Sequence, residues 1–196
     1  MSCQTLALGV QASCLAVKKP GGVDKRVWIG LLDDVASITL GTGNILSAFV
    51  MKAGKGLTQW TGRREKNSAG SEIEVGENVT VRNQLVSLSV YWETAAQLTA
   101  LDELLDLEGL FVFVETNAGT IEVYGVNMSN AYNFANFGLK PTKNSGNSGK
   151  VINDATAFAL ELSGGLTNLQ LIFRPTSDLA SNILYLNLKS VDPVGS

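Results

Sequence analysis

One long stretch of alternating residues restricts the fold of this chain more than any other feature. Over Val81–Tyr91, successive side chains point to opposite faces of an extended backbone. One face carries three apolar residues and the other a leucine and two serines: Val86, Leu88, Val90; Leu85, Ser87, Ser89. Alternation of this length predicts a β-strand with one face against a core. We therefore expect this stretch to lie in a sheet.

Shorter extended segments recur along the chain between Gly- and Asn-containing turns. They cover 26–31, 35–40, 45–51, 57–66, 72–75, 110–116, 120–125, 155–163, 169–173 and the tail around 183–186. The clearer of these segments make up about eight or nine strands. The turn Asn117-Ala118-Gly119 predicts an antiparallel hairpin, and Gly164-Gly165 predicts a turn that joins a final strand pair.

A single helix is predicted, over about 95–107. Thr94 can cap its start and Gln97 completes a capping box, while Gly109 follows its end. One face carries its apolar residues at spacings of three and four: Ala95, Leu98, Leu101, Leu104, Leu105. This amphipathic face requires a sheet or another chain to cover it.

The order of elements predicts a mainly β (α+β) fold, an antiparallel β-sandwich or curled sheet flanked by one amphipathic helix. Residues 1–25 end in the break Lys18-Lys19-Pro20-Gly21-Gly22 and are predicted to form an N-terminal arm. The main domain covers 26–175 and includes a polar insert at about 127–150. Residues 176–196 form a C-terminal extension.

The absence of histidine excludes much catalytic chemistry. Ser-His-Asp and Cys-His catalysis and His-ligated zinc all require it. Cys3 and Cys14 can form one small disulfide in an oxidising compartment or remain two thiols, but they cannot build a structural zinc site. Adjacent Asp33 and Asp34 point to opposite faces of an extended chain. We predict no enzyme activity, no cofactor and no metal site.

Charge is distributed unevenly although the net charge is only −3. Residues 1–66 contain nine basic and four acidic side chains, and residues 72–125 contain ten acidic side chains and one basic one, Arg82. Opposite charge on two parts of a chain allows copies to attract each other head to tail, although ordinary solvated faces would give the same composition. The chain has no basic stripe interleaved with aromatic residues, which would predict nucleic-acid binding. It also has no apolar run of the kind that predicts a membrane span or an export signal.

The segment 57–80 is predicted to form a long projecting hairpin with a basic base and an acidic return. Its aromatic and arginine residues are of the types that dominate interfaces. The candidate assembly interface comprises Trp60, Arg63, Arg64, Lys66, Glu72 and Glu74. The alternative is a core-facing tryptophan beside two solvated arginines.

Several segments, in this order, resemble the tail tube (major tail) proteins of tailed bacteriophages, in particular those of phages that infect Bacteroidota. They are Met1-Ser2-Cys3, Trp28-Ile29-Gly30 before Asp33-Asp34-Val35, the hairpin around 56–81, Val86–Val90, the helix 94–108, 110–119 and Phe158–Gly164. The resemblance covers roughly 26–165. The long insert and the tail after Pro175 depart from the family pattern.

The resemblance implies a virion protein, made in the host cytoplasm, that assembles into stacked hexameric rings. The inner sheets of six copies would join into a barrel, and the rings would form a conduit through which the genome leaves. Its partners would be other copies, other tail or connector proteins, and DNA that passes without specific binding. An acidic lining would repel DNA phosphates; its candidates are Glu77, Asp102, Glu103, Asp106, Glu115 and Glu122.

Two alternatives share this prediction of a β-sandwich. A tail terminator or connector ring would have the same fold as the tube subunit. A virion surface module that binds carbohydrate could use the aromatic residues of the polar insert, Tyr132, Phe134 and Phe137. Assembly distinguishes the readings, because a binding module stays small and a tube protein forms rings or polymers.

Overall fold

The computed structural model describes residues 23–61, 66–75, 80–90, 95–127, 138–147 and 157–190. These residues form eleven strands, two α-helices and a short 3-10 helix, Leu32–Asp34. The strands are β1 (Val23–Leu31), β2 (Val35–Leu40), β3 (Ile45–Met51), β4 (Thr58–Thr61), β5 (Ser68–Val75), β6 (Thr80–Val90), β7 (Leu110–Thr116), β8 (Ile121–Tyr124), β9 (Lys140–Asn147), β10 (Ala157–Leu166) and β11 (Leu171–Phe173). The helices are α1 (Ala95–Leu105) and α2 (Leu179–Lys189).

The strands form two sheets that pack as a sandwich, so the predicted mainly β fold with a flanking helix is confirmed. The larger sheet has seven strands in the order β2-β3-β11-β8-β7-β1-β4. The smaller sheet has four strands in the order β5-β6-β10-β9, each antiparallel to its neighbours. The only parallel pair among the described strands is β3 with β11.

The first core lies between the two sheets. Alternate residues of β1 and β7 face alternate residues of β6 and β10 across it, and two leucines of α1 close one side. The fully buried members include Val27, Val112, Val114, Val86, Leu160, Leu162 and Leu101. Strand β7 is buried along Leu110–Glu115 because layers cover both of its faces.

The second core lies on the opposite face of the seven-stranded sheet, beneath α2. Four phenylalanines cluster there with ring centroids about 5 to 6 Å apart: Phe49, Phe111, Phe113, Phe173. Leu186 of α2 is buried against them, and Tyr185 donates a hydrogen bond to the carbonyl oxygen of Phe49. The layers are therefore four-stranded sheet, seven-stranded sheet and α2.

Residues Leu179–Lys189 form a helix, α2, so the predicted strand around 183–186 is wrong. The run Ile183–Leu186 is too short to distinguish a strand from a helix by periodicity. Asp178 decides the start, because its carboxylate accepts hydrogen bonds from the backbone N–H and hydroxyl of Ser181. The hydrogen bond from the Ser181 side chain, followed by that from its backbone, lowers the pKa of Asp178.

Two predicted strand pairings are also wrong. Segment 57–80 is not one hairpin, because β4 pairs with β1 in the large sheet and β5 pairs with β6 in the small one. Strands β10 and β11 do not pair across Gly164-Gly165 either. Both glycines lie within β10, and β11 pairs with β3 and β8. In contrast, the β7–β8 hairpin over Asn117–Gly119 is confirmed.

Other boundaries differ in detail. Strand β1 begins at Val23, inside the segment predicted as an arm, and β9 lies inside the predicted polar insert. Helix α1 ends at Leu105, and Gly109 has a positive φ of 73°. Leu101 and Leu104 are buried as expected, but Ala95 and Leu98 are exposed. Thr94, the predicted cap, lies outside the described residues.

Two tryptophans on neighbouring strands allow a matched test of the second core. Trp28 is fully buried, and its indole N–H donates to the Oδ1 atom of Asn187 on α2 at 3.1 Å. Trp60 is half-buried, and its indole N–H has no partner among the described residues. We expect Trp28→Phe to cost about 2 kcal/mol of unfolding free energy and Trp60→Phe less than about 1 kcal/mol. Chemical denaturation, at a protein concentration too low for assembly, measures the unfolding free energy of both variants. Equal losses would contradict a stabilising role for the hydrogen bond between Trp28 and Asn187.

Candidate assembly surfaces

The four-stranded sheet ends in two open edges, β5 and β9. Each edge strand has eight residues, and no other described strand pairs with the outer side of either. Exposed edges offer backbone donors and acceptors to another chain. Because the four strands alternate in direction, β5 and β9 run in opposite directions.

The two edges carry opposite charge. Strand β5 has Glu72 and Glu74 and no basic residue, whereas β9 has Lys140 and Lys143 and no acidic residue. All four side chains are exposed. The pairing of Glu72 with Asn83 and of Lys143 with Glu161 places both charge types on the sheet face that points away from the sandwich core.

That outward face of the four-stranded sheet carries mostly small and polar residues. They include Gly70, Ser87, Ser89, Ala159, Ser163 and Gly165, with Leu85 exposed near the middle. Lys143 forms an ion pair with Glu161 at 3.5 Å, and the Asn83 side chain donates to Glu74 at 3.1 Å. No described helix covers this face.

The far end of the β5–β6 hairpin projects beyond the sandwich. Every residue of Glu72–Val75 is exposed, including Ile73 at 52 % and Val75 at 76 %. Consecutive exposed residues on a strand mean that neither face is covered there. The projecting end therefore presents two apolar side chains and two carboxylates to solvent.

Gln84 anchors this hairpin to the body of the protein. It is fully buried; its amide nitrogen donates to the carbonyl oxygen of Asn168, and its amide oxygen accepts from the backbone N–H of Gly125. Arg82 donates to the carbonyl oxygen of Thr167, and Ser71 donates to the Gln170 side chain at 2.8 Å. A buried amide with both ends satisfied fixes the position from which the hairpin projects.

The residues predicted for the assembly interface are not brought together. Trp60 lies on β4 in the large sheet, whereas Glu72 and Glu74 lie on β5 in the small one. Lys66 is exposed in the turn before β5. Arg63 and Arg64 lie outside the described residues. Since β4 and β5 belong to different sheets, a surface that combines Trp60 with the two glutamates is not supported.

Trp60 lines a cleft between α1 and the strands β1 and β4. The cleft has a volume of about 200 Å³ and also contains Leu104, Leu107 and the carboxylates Asp34 and Glu103. Asp34 is already paired with Lys55 at 3.2 Å. Trp60 is thus directed toward the first core and α1. This is the core-facing tryptophan that the sequence left open as the alternative to an interface residue.

The predicted lining residues divide into three environments. Asp102, Glu103 and Asp106 are exposed on and just after α1. Glu77 lies outside the described residues. Glu115, in contrast, is buried and accepts two hydrogen bonds from the Arg26 guanidinium at 2.9 and 3.1 Å. A buried, paired carboxylate cannot line a channel, so that prediction is wrong for Glu115.

Glu122 is half-buried on β8 and serves a local role. It accepts a hydrogen bond of 2.6 Å from the hydroxyl of Tyr124, which is fully buried. Burial, followed by this hydrogen bond and the nearby negative charge, raises the pKa of Tyr124 well above its usual range. The hydroxyl therefore remains a donor, and Glu122 is held against the sandwich.

Sequence reasoning missed Lys140, Lys143 and Glu161 as surface-forming residues. The segment Lys140–Asn147 contains no large apolar residue and includes Pro141, so its composition indicates a loop. It becomes a strand by pairing with β10. The Pro141 position agrees with an edge, where a missing backbone N–H is tolerated.

The described residues show no other kind of site. No three Cys, Asp or Glu side chains in the described part of the chain come close enough to hold a metal ion. Neither described helix has the length and apolar character needed to cross a membrane.

Comparisons with known proteins do not assign a family. No protein-family model matches the chain, and neither the curated proteins nor the solved structures give a match. Its function must therefore be argued from the two charged edges and the faces beside them.

Proposed function

We propose that this protein is a structural virion protein that joins head to tail into closed rings, which stack to form a phage tail tube. One observation carries the proposal: the four-stranded sheet ends in two edges of equal length and opposite charge. A contact between two different surfaces of the same chain generates rings or filaments, according to the angle at each junction.

The strand directions suit a continuous barrel. Strands β5 and β9 run in opposite directions, so β9 of one copy beside β5 of the next, related by rotation about a common axis, continues the antiparallel pattern. The join removes both open edges at once. Repetition around a ring closes the small sheets into one barrel, with the seven-stranded sheets and α2 outside it.

Backbone pairing supplies most of the binding free energy at such a join. Each hydrogen bond contributes about 1 kcal/mol, and an edge of eight residues offers several. Exposed ion pairs contribute at most about 1 kcal/mol each. The charges therefore serve chiefly to select the correct neighbour and register, because like charges side by side are strongly unfavourable.

The barrel would be lined by the outward face of the four-stranded sheet. Glu72, Glu74 and Glu161 lie on this face together with Lys140 and Lys143. At each join the two lysines would meet carboxylates, which leaves the lining without an excess of positive charge. Small, polar and weakly acidic walls suit DNA that slides past, because phosphate binding requires clustered basic residues.

Mass in solution and negative-stain electron microscopy across a concentration series test the proposal. We expect hollow rings and longer tubes to appear as the concentration rises. Discrete rings that never stack would favour a terminator or connector ring. A strict monomer at every concentration would contradict ring formation. In that case Lys140, Pro141 and Lys143 would protect the β9 edge from pairing with another chain.

A further inference from the structure

The outer part of the seven-stranded sheet carries a partly exposed face with four apolar residues. Strands β2, β3 and β11 bury one face under α2, through Phe49 and Phe173 among others. The opposite face presents Ile45, Ala48, Val50 and Ile172, here named the open wing. Their partners Ser37 and Thr39 on β2 and Glu122 on β8 share this face, and Glu122 accepts the hydrogen bond from Tyr124. Val50 is 49 % exposed and Ile172 is 42 % exposed, so about half of each side chain remains in solvent.

The open wing lies on the β5 side of the molecule. Ser71 of β5 donates a hydrogen bond to Gln170, two residues before Ile172. The order β2-β3-β11 continues outward from β8, whose end is joined to β6 through the contact between Gln84 and Gly125. The open wing therefore borders the acidic edge of the small sheet.

Helix α1 lies on the other side, next to β9. Leu104 packs in the first core with Leu110 and Leu139, and Leu139 directly precedes β9. The solvent face of α1 exposes Leu98, at 46 %, and Asp102 and Glu103, with Asp106 just beyond the helix end. Among its residues Ala95–Leu105 there is no basic side chain.

We propose that α1 of one copy packs on the open wing of the next, behind the β9–β5 join. This inference rests on the proposed ring. A head-to-tail join brings the β9 side of one copy against the β5 side of its neighbour, so the two surfaces arrive together. Leu98 then covers the exposed side chains of Val50 and Ile172, which a monomer leaves in water.

Charge complementarity supports a second copy as the occupant. Arg174 is exposed and follows Phe173, so alternation places it on the same side as Ile172. Its backbone N–H extends the pairing with β3 by donating to the carbonyl oxygen of Leu46. Across the proposed contact, Arg174 faces the carboxylates of α1, Asp102 and Asp106.

Site-specific cross-linking tests this contact. In a Cys3→Ser, Cys14→Ser background, protein with Leu98→Cys is mixed with protein with Ile172→Cys under ring-forming conditions, and a short thiol-reactive cross-linker is added. We expect a dimer that links the two different chains. Leu184→Cys in place of Ile172→Cys is the matched control, because Leu184 is exposed on α2 at the opposite face.

The outcomes separate this contact from the ring itself. Rings that form but cross-link no better through Ile172→Cys than through Leu184→Cys would overturn the contact and leave the ring standing. Absence of any assembly of the cysteine-free protein would overturn both. As a second readout, we expect Arg174→Glu to raise the protein concentration required for assembly at least about tenfold. The double variant with Asp102→Arg should return this concentration to the parent value. No change with Arg174→Glu would contradict the proposed pairing.

Discussion

Replacement of both β5 glutamates by lysine, Glu72→Lys with Glu74→Lys, is expected to abolish ring formation. The β5 edge then becomes basic and meets Lys140 and Lys143 of the next copy. Adjacent like charges cost several kcal/mol per join, which exceeds what the ion pairs contribute and repeats at every join of the ring. Sedimentation velocity at increasing concentration should show a monomer throughout.

The reverse change makes the prediction specific to the two edges. Lys140→Glu with Lys143→Glu gives a protein whose edges are both acidic, and it should also remain monomeric. Mixed in equal amounts, the two variants should assemble, because each basic edge can pair with an acidic edge. Rings of alternating variants require an even number of copies, which agrees with the six that the resemblance implies.

A control separates edge charge from net charge. Asp33→Lys with Leu184→Lys and Leu188→Lys changes the net charge by the same amount as the β5 variant. All three positions are exposed, Asp33 in the 3-10 helix and the two leucines on α2. This protein should assemble like the parent. Failure of the mixture to assemble, while each variant remains folded by circular dichroism, would refute the β5–β9 join.

Elements with local signals could be predicted from the sequence. Strand β3 has the predicted bounds, and the β7–β8 hairpin follows from a turn of three residues in which Gly119 has a φ of 79°. Short turns fix both the pairing and the register of their strands. The helix at 95–105 follows equally from spacing that only its own residues set.

Pairing between distant segments could not be predicted in this way. Gly164 and Gly165 indicate a turn by composition, yet they continue β10. The reason is a close approach: a Cβ atom on Gly164 would overlap the carbonyl oxygen of Gly138. Glycine is common both in turns and where two backbones approach closely. Only the contact with Gly138, 26 residues earlier in the chain, distinguishes the two uses here.

The candidate site was predicted only in part for the same reason. The sequence places Glu72 and Glu74 on an extended segment, the acidic return of residues 57–80. Their counterpart on β9 has no alternation of apolar residues, because the edge strand pairs on one side only and packs little apolar surface. The complementarity of the edges therefore becomes visible only when the sheet order is known.

Gly125→Ala is expected to lower the unfolding free energy by about 3 kcal/mol or more, among the largest effects of any single methyl group in this chain. Gly125 has a φ of 88°, a conformation that disfavours a side chain. A Cβ atom there would also overlap the carbonyl oxygen of Leu110, which accepts the N–H of Leu139 at 2.7 Å. Backbone, not a flexible side chain, would have to move.

Gly54→Ala is the matched control, with a φ of 74° and nothing within 4 Å of the added Cβ. It should cost about 1 kcal/mol, the conformational penalty alone. The difference between the two variants in urea denaturation isolates the overlap with Leu110. Because the Gly125 N–H also holds the Gln84 side chain at the base of the β5–β6 hairpin, Gly125→Ala should speed hydrogen exchange in that hairpin, while Gly54→Ala leaves it unchanged. Equal stability losses in the two variants would show that the backbone at β7 and β9 yields without strain. Unchanged hydrogen exchange in Gly125→Ala would show that other contacts hold the hairpin.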